Sequence, residues 1–281
     1  MASSAFSIKS NHSAQVATNR LSRSHRSAVQ SVKKLSSGQR AQSASESATA
    51  VAMSATMSAR IGSFHQARTN IGSAVAMVEM AEAGYQQLTD ILVEMRAMAV
   101  EGANDHLTDT ERDQLDVVYS EMKDQIARVS RVTEYNGISL LDGTGGDGGR
   151  VQFMTGIHNE ASGKLRVRFV EQSVGSLNLG PTNTATRKDS QKSVDRIDSA
   201  LESLHEDRAV MAGHLATLNG DLQNLVATTA ETEVGLGGIR DLDLSNESMN
   251  LARQQVLQQA GASMLTQANV QSSMALRLLE R

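Results

Sequence analysis

Residues 197–225 read IDSALESLHEDRAVMAGHLATLNGDLQNL, and every seventh position, Ile197, Leu204, Met211, Leu218 and Leu225, is large and apolar. Leu201, Leu215 and Leu222 fill the partner position of the heptad, which only Arg208 interrupts. This spacing predicts a long helix with a narrow apolar stripe that needs another helix to bury it. The N-terminal half carries a counterpart. Ile71, Val78, Tyr85, Leu92 and Ala99 form one series, and Ala74, Ala81, Leu88 and Met95 form its companion. Between the two zones lies the one stretch of period two. Val151 and Phe153, then Leu165, Val167 and Phe169, alternate with polar residues across a connection containing Gly156 and Gly163, which predicts a β-hairpin. The expected fold is mainly α: a long antiparallel helical rod or coiled coil from the N- and C-terminal segments, with a small β-hairpin region.

Composition agrees. Aromatic residues are 2% of the 281, with no Trp, so little of the large side-chain volume of a broad globular core is present. A single proline, Pro181, leaves the flanks free to run as helix. The absence of cysteine excludes disulfide scaffolds and thiolate metal sites. No run of 18 apolar residues exists, so no membrane insertion is expected. The first thirty residues lack the apolar stretch of a secretory signal. The net charge of −4 is unevenly spread. Lys9, Arg20, Arg23, Arg26, Lys33, Lys34 and Arg40 precede the first acid, Glu46, whereas 79–124 is acid-rich. No nucleic-acid module accompanies the basic arm, so it reads as a solvated helix face or as a complement to a neighbour's acidic segment rather than as a DNA-binding surface.

Smaller signals punctuate the chain. Gly102-Ala-Asn-Asp105 ends a helix beginning near Ser43, and Thr108-Asp-Thr-Glu111 is a capping box for the next, whose apolar face is Leu115, Val118, Met122, Ile126 and Val129. Tyr135-Asn-Gly137 closes that helix, and Gly235, Gly237 and Gly238 end the returning one. A final helix presents Ala252, Val256, Leu257, Ala260, Met264, Leu265 and Ala268 on one face.

Catalytic chemistry does not assemble. His205-Glu-Asp-Arg-Ala209 begins like a zinc-protease motif, but Ala209 stands where the second histidine ligand belongs, so the segment reads as a solvated helix face. Gly143, Gly145 and Gly148 satisfy G-x-G-x-x-G, yet a helix precedes and a strand follows, the reverse of a dinucleotide site, so this is a flexible loop. No catalytic, cofactor-binding or metal residue is assigned, and no enzyme activity or cofactor is expected.

Longer motifs carry a resemblance. Lys34-Leu-Ser-Ser-Gly-Gln-Arg40 with Ala41-Gln-Ser-Ala44 resembles the N-terminal signature of bacterial flagellins, and Gln255-Val-Leu-Gln-Gln-Ala-Gly-Ala-Ser-Met-Leu-Thr-Gln-Ala-Asn269 resembles their C-terminal signature. Ala99-Val-Glu-Gly-Ala-Asn104, Arg131-Val-Thr-Glu-Tyr-Asn-Gly-Ile-Ser-Leu-Leu141 and Leu276-Arg-Leu-Leu279 are similar too. Two stretches depart from the family pattern, Ser45-Glu-Ser-Ala-Thr-Ala50 and Leu242-Asp-Leu-Ser-Asn-Glu247. They leave a minor filament subunit or the hook–filament junction protein as the alternative.

The resemblance implies a minimal flagellin without large outer domains, a structural subunit that polymerises into the flagellar filament for motility. It divides the chain into an N-terminal core helix (1–42) paired with the C-terminal one, N-terminal rod helices (43–141), a β-hairpin and loop region (142–190), a returning rod helix (191–235) and a C-terminal core helix (236–281). It implies secretion through the flagellar type III export channel to an extracellular filament. The implied partners are further copies of the chain, an export chaperone, and the hook-associated junction and cap proteins. The expected self-assembly interface is Leu21, Val32, Leu35, Val256, Leu257, Ala260, Met264, Leu265, Ala268, Leu276 and Leu279. The two ends, 1–40 and 246–281, are expected to be mobile in the monomer and ordered in the polymer, because their seams bury little. The segment matching the Toll-like receptor 5 contact of many flagellins includes Glu94, Arg96 and Met98. Glu94 stands where those relatives carry an arginine, which implies weak recognition.

Overall fold

A computed structural model describes residues 11–158, 160 and 163–279, without the side chains of 272 and 275–279. The elements are α1 (His12–Ser37), α2 (Ala44–Gly102), α3 (Asp109–Val132), the two-residue strands β1 (Glu134–Tyr135) and β2 (Ile138–Ser139), β3 (Arg150–Met154), β4 (Lys164–Arg168), α4 (Arg187–Arg240) and α5 (Leu244–Leu279). They belong to two units, one built from residues up to 59 and from 231 onward, the other from residues 60–230.

In the 60–230 unit the heptad reading holds position by position. Ile71, Ala74, Val78, Ala81, Tyr85, Leu88, Leu92, Met95 and Ala99 of α2 are fully shielded from water, and so are Ile197, Leu204 and Leu218 of α4. Met211 and Leu225 are nearly so. Three ion pairs fix the direction of the helices: Glu82 with Arg208 (2.6 Å), Arg96 with Asp198 (2.5 Å) and Asp105 with Arg187 (2.9 Å). Numbers rise along α2 as they fall along α4, so the pair is antiparallel. The first of these explains the break in the leucine series, because Arg208 occupies a seam edge where it reaches Glu82.

α3 begins where expected. The Thr108 hydroxyl accepts from the Glu111 amide, and the Glu111 carboxylate accepts from the Thr108 amide (2.8 Å). The Thr108 amide and hydroxyl hold that carboxyl below its ordinary range. The buried face differs from the sequence reading. Tyr119, Ile126 and Val129 are buried, with Met122 and Leu115 half-buried, whereas Val118 is 47% exposed. Arg112 and Tyr119 hold heptad positions that a search for aliphatic residues passes over.

The β3–β4 hairpin is antiparallel with Val151 opposite Val167 and Phe153 opposite Leu165, so those four share one face as alternation predicted. Val167 and the following Phe169 are buried in the same core as the helices. One small hairpin was not anticipated. Asn136 and Gly137 have φ of 51° and 75°, and they turn β1 back on β2 directly after α3. Positive φ at both central positions is the two-residue turn that Asn-Gly favours. The glycine loop 143–149, expected to be flexible, is packed instead. A side chain at Gly149 would meet the Phe169 carbonyl at 2.6 Å, and Gly149 itself lies in the left-handed region.

α4 does not end at its glycines. It runs through Gly235, Gly237 and Gly238 to Arg240. Each interior glycine costs about 1 kcal/mol relative to alanine, and the buried Leu236 among them (5% exposed) offsets part of that cost.

Candidate assembly surface

α1 and α5 form an antiparallel pair within the first unit. Asn11 opens α1 as its N-cap, accepting from the Ala14 amide (2.9 Å), and donates across to the Ala268 carbonyl (3.0 Å). Farther along, the Ser24 hydroxyl donates to the Gln254 carbonyl (2.9 Å) and lies 3.0 Å from its side-chain oxygen. Gly38 ends α1 in the left-handed conformation (φ 68°), which gives the glycine of the 34–40 motif its physical reason. Gln39 then bridges Asp241, with the Arg40 amide donating to the Arg240 carbonyl and the Leu242 amide to that of Gly38. The helix on the second strand of chain breaks at the same level.

The seam is a strict heptad of mostly small and polar residues. On α1 the inward positions are Ala14, Ala17, Leu21, Ser24, Ala28, Ser31 and Leu35; on α5 they are Leu251, Gln254, Gln258, Gly261, Leu265 and Ala268. Gly261 faces Leu21, where an added side-chain carbon would stand 3.4 Å from the leucine. Other large apolar side chains point the other way. Val32 is 52% exposed, Val256 63%, Leu257 50% and Met264 64%. Leu21, Leu257 and Met264 line an open groove of about 650 Å³ along the pair, with Val16 on its floor and Arg20 and Arg23 beside it.

The expected interface therefore divides. Leu21, Leu35, Leu265 and Ala268 sit half-buried in the intrachain seam, while Val32, Val256, Leu257, Ala260 and Met264 face solvent. The single α5 face expected from sequence is thus two faces. Apolar residues are scattered round the whole helix among glutamines and serines, so apolarity alone could not pick the side that α1 covers. The side chains of Leu276 and Leu279 lie outside the described residues. Ser24, Ser31, Gln254 and Gln258 were missed; the signal for them was the strict spacing of small residues along α1, not hydrophobicity. The basic residues Arg20, Arg23, Arg26 and Lys33 are exposed on α1, as the solvated-face reading expects.

In the second unit, Glu94 is exposed and Arg96 is held by Asp198, so Arg96 is not a free cation. Met98 is half-buried and packs on the core. The His205–Ala209 segment is only half a solvated face. His205 and Glu206 are exposed, but Asp207 accepts from the Gln172 side-chain amide (2.7 Å), and Arg208 binds Glu82. Gln172 is 1% exposed, and its own side-chain oxygen lacks a partner, as does the nearby Tyr85 hydroxyl. Burial pushes the Asp207 carboxyl up, and burial beside Asp207 pushes the Tyr85 hydroxyl up to about 12.

A carboxyl raised in the fold contributes stability below its unfolded value, and that contribution is lost as pH rises through the folded value. Asp207→Asn keeps an acceptor for Gln172 and adds a donor for its orphaned oxygen. It is expected to raise the melting temperature of the 60–230 unit at pH 7, with the gain vanishing near pH 3. Thermal scans of both proteins across pH 3–8 check this, and a variant less stable than the parent at pH 7 contradicts it.

Comparison with known proteins agrees with this architecture. Residues 8–145 match the bacterial flagellin N-terminal helical region, and residues 194–279 match the bacterial flagellin C-terminal helical region. A flagellin of Halalkalibacterium halodurans is 30% identical over 250 residues, 88% of this chain and 90% of the relative. The flagellar filament 30.7 kDa core protein of Treponema maltophilum is 28% identical over 258 residues, again 88% and 90%. The crystal structure of Bacillus cereus flagellin superposes with a TM-score of 0.50 at 26% identity, over 56% of this chain and 88% of that one.

Proposed function

This chain belongs to the bacterial flagellin family and is a structural subunit of the flagellar filament, and we infer from that premise that the outer face of its α1–α5 pair is where copies join. One observation carries the inference. The seam between the two helices takes Leu21, Leu35, Leu251 and Leu265 among small and polar residues, yet the pair leaves Val32, Val256, Leu257 and Met264 outward in water, where their burial would be favourable. Burying Val32, Val256, Leu257 and Met264 against further copies removes that apolar surface from water, at roughly 25 cal/mol per Å². The junction-protein alternative is not favoured, since the relatives are named flagellin and filament core protein.

The same exposed apolar face supports coupling of order to assembly. A seam in which four leucines are spaced by alanine, serine, glutamine and glycine buries too little to offset the entropy of ordering two long helices. Amide exchange on purified monomer is expected to show residues 11–37 and 244–271 poorly protected, and residues 71–99 and 197–225 strongly protected. In polymer all four segments become protected. Equal protection of the α1–α5 pair in both states would refute the reading.

The remaining roles follow from family membership as proposals. The subunit is non-catalytic, leaves the cell through the flagellar export channel, and is held during export by a chaperone on α5. In the assembled filament it meets junction and cap proteins at the ends. Recognition by Toll-like receptor 5 is weak, and the geometry narrows the reason. Arg96, though exposed, is engaged with Asp198, and Met98 is packed, which leaves Glu94 as the exposed charge outside both contacts. An anion where relatives present a cation adds like-charge repulsion to a lost contact. Glu94→Arg is expected to raise activation in a receptor-reporter assay about tenfold, the equivalent of ~1.4 kcal/mol. An unmodified protein that already activates strongly would end the proposal.

A further inference from the structure

We propose that Met264 is a reversible oxidation site whose conversion to the sulfoxide slows the joining of the unassembled subunit to a filament. The inference rests on the reading that the outer face of α1–α5 is the joining surface. The chain has 13 methionines and no cysteine, so no thiol competes for peroxide within it. Among the described residues, Met57, Met98, Met122 and Met154 are half-buried, and the others lie at the two extremes. Met77, Met95 and Met211 are at most 2% exposed in the core of the 60–230 unit, where an oxidant does not reach the sulfur. Met53, Met80, Met249, Met264 and Met274 are 45–64% exposed. Of these, Met264 lines the groove along the α1–α5 pair, together with Leu257 and Leu21, and it is the most exposed of the five at 64%.

The chemistry is complete with hydrogen peroxide as oxidant. The thioether sulfur attacks one peroxide oxygen, an S–O bond forms, and the O–O bond breaks. The departing hydroxide takes up the proton of the oxygen now bound to sulfur, which leaves water and a neutral sulfoxide. Sulfur is oxidised by two electrons and peroxide is reduced by two. The product is a polar sulfoxide on the wall of an apolar groove. In the free chain this costs little, because the side chain is in water. In the polymer it places a strong acceptor in a surface that copies must dry, where Arg20 and Arg23 can reach it only by giving up their own water. Oxidation therefore penalises assembly and spares the monomer. A methionine sulfoxide reductase with a dithiol reverses it.

The test uses full-length monomer, treated briefly with hydrogen peroxide, quenched with catalase and added to untreated filament fragments. Peptide mass spectrometry reads the sulfoxide at each methionine. Oxidised protein is expected to elongate fragments about tenfold more slowly, the equivalent of one unpartnered polar group per joint, and to recover after reductase treatment. Met264→Leu, a volume-conserving change, is expected to elongate normally after the same treatment. Met80→Leu, altered in the other unit, is expected to remain as sensitive as the parent. Elongation at the untreated rate by protein carrying sulfoxide at 264 overturns the proposal, as does a Met264→Leu variant that loses as much as the parent. Failure of untreated protein to elongate at all would instead overturn the joining surface, and this proposal with it.

Discussion

Replacing Leu257 by glutamate stops polymerisation and leaves the monomer's melting transition where it was. Leu257 is 50% exposed on the outer side of α5, so a carboxylate there stays hydrated in the free chain and costs the fold nothing measurable. In the joined state the same carboxylate must shed its water in a groove where only Arg20 and Arg23 offset part of the cost. Desolvating an unpaired charge costs several kcal/mol even after relaxation, and roughly 3 kcal/mol per subunit raises the critical concentration more than a hundredfold. Sedimentation of polymer across a concentration series reads that change. Leu265→Glu separates the two faces of the helix. Leu265 sits in the seam with α1, so its replacement opens the pair as well as blocking assembly. The core that runs from Phe64 to Leu225 contains neither residue, and both variants should melt with the parent's 60–230 transition. Polymer forming at the parent's critical concentration from Leu257→Glu would remove the outer face from the joining surface.

The contrast between those two leucines shows where sequence was legible and where it was not. In the 60–230 unit large residues recur at heptad spacing, and burial follows them at every position of both α2 series and the main α4 series. A seam that must exclude water between two helices selects bulk, and bulk is visible in a sequence. The hairpin was legible for the same reason, since Val151, Phe153, Leu165 and Val167 alternate with charged or polar neighbours. The α1–α5 seam selects the opposite. Close approach there is set by Gly261 against Leu21, and register by Ser24 with Gln254, while Val32, Val256, Leu257 and Met264 are left facing solvent. Hydrophobicity read from α5 therefore mixes the intrachain face with the outer one. On α3 the error ran differently: Tyr119 and Arg112 are amphipathic, and the burial of Arg112 depends on carbonyls of the preceding turn, which no apolar spacing reveals. Gly235, Gly237 and Gly238 misled because helix propensity is a local cost that burial elsewhere in the turn can offset.

Arg112 is the residue of the 60–230 unit whose loss should be felt most for its size. It is 6% exposed. Its guanidinium donates to the carbonyls of Gly102, Asn104 (2.7 Å) and Leu107 (3.2 Å). Those carbonyls belong to the end of α2 and the turn that leads to the α3 capping box. The last carbonyls of a helix have no intrahelical donor, and they form the negative end of its dipole. A planar cation with five donors can satisfy several of them at once, which a lysine ammonium on a flexible stem does less well. The turn has little room to rearrange, because a side-chain carbon added at Gly102 would stand 2.6 Å from the Ser190 hydroxyl. Arg112→Met keeps most of the aliphatic volume and removes every donor. Charge-assisted bonds are worth about 1.5–3 kcal/mol each when a buried partner is stranded, and they are not additive within one turn. The expected loss is about 3 kcal/mol, with Arg112→Lys falling between the two. Urea denaturation followed by circular dichroism measures it as a lower midpoint at unchanged slope. A midpoint for Arg112→Met equal to the parent's would mean that water serves those carbonyls as well as the guanidinium does.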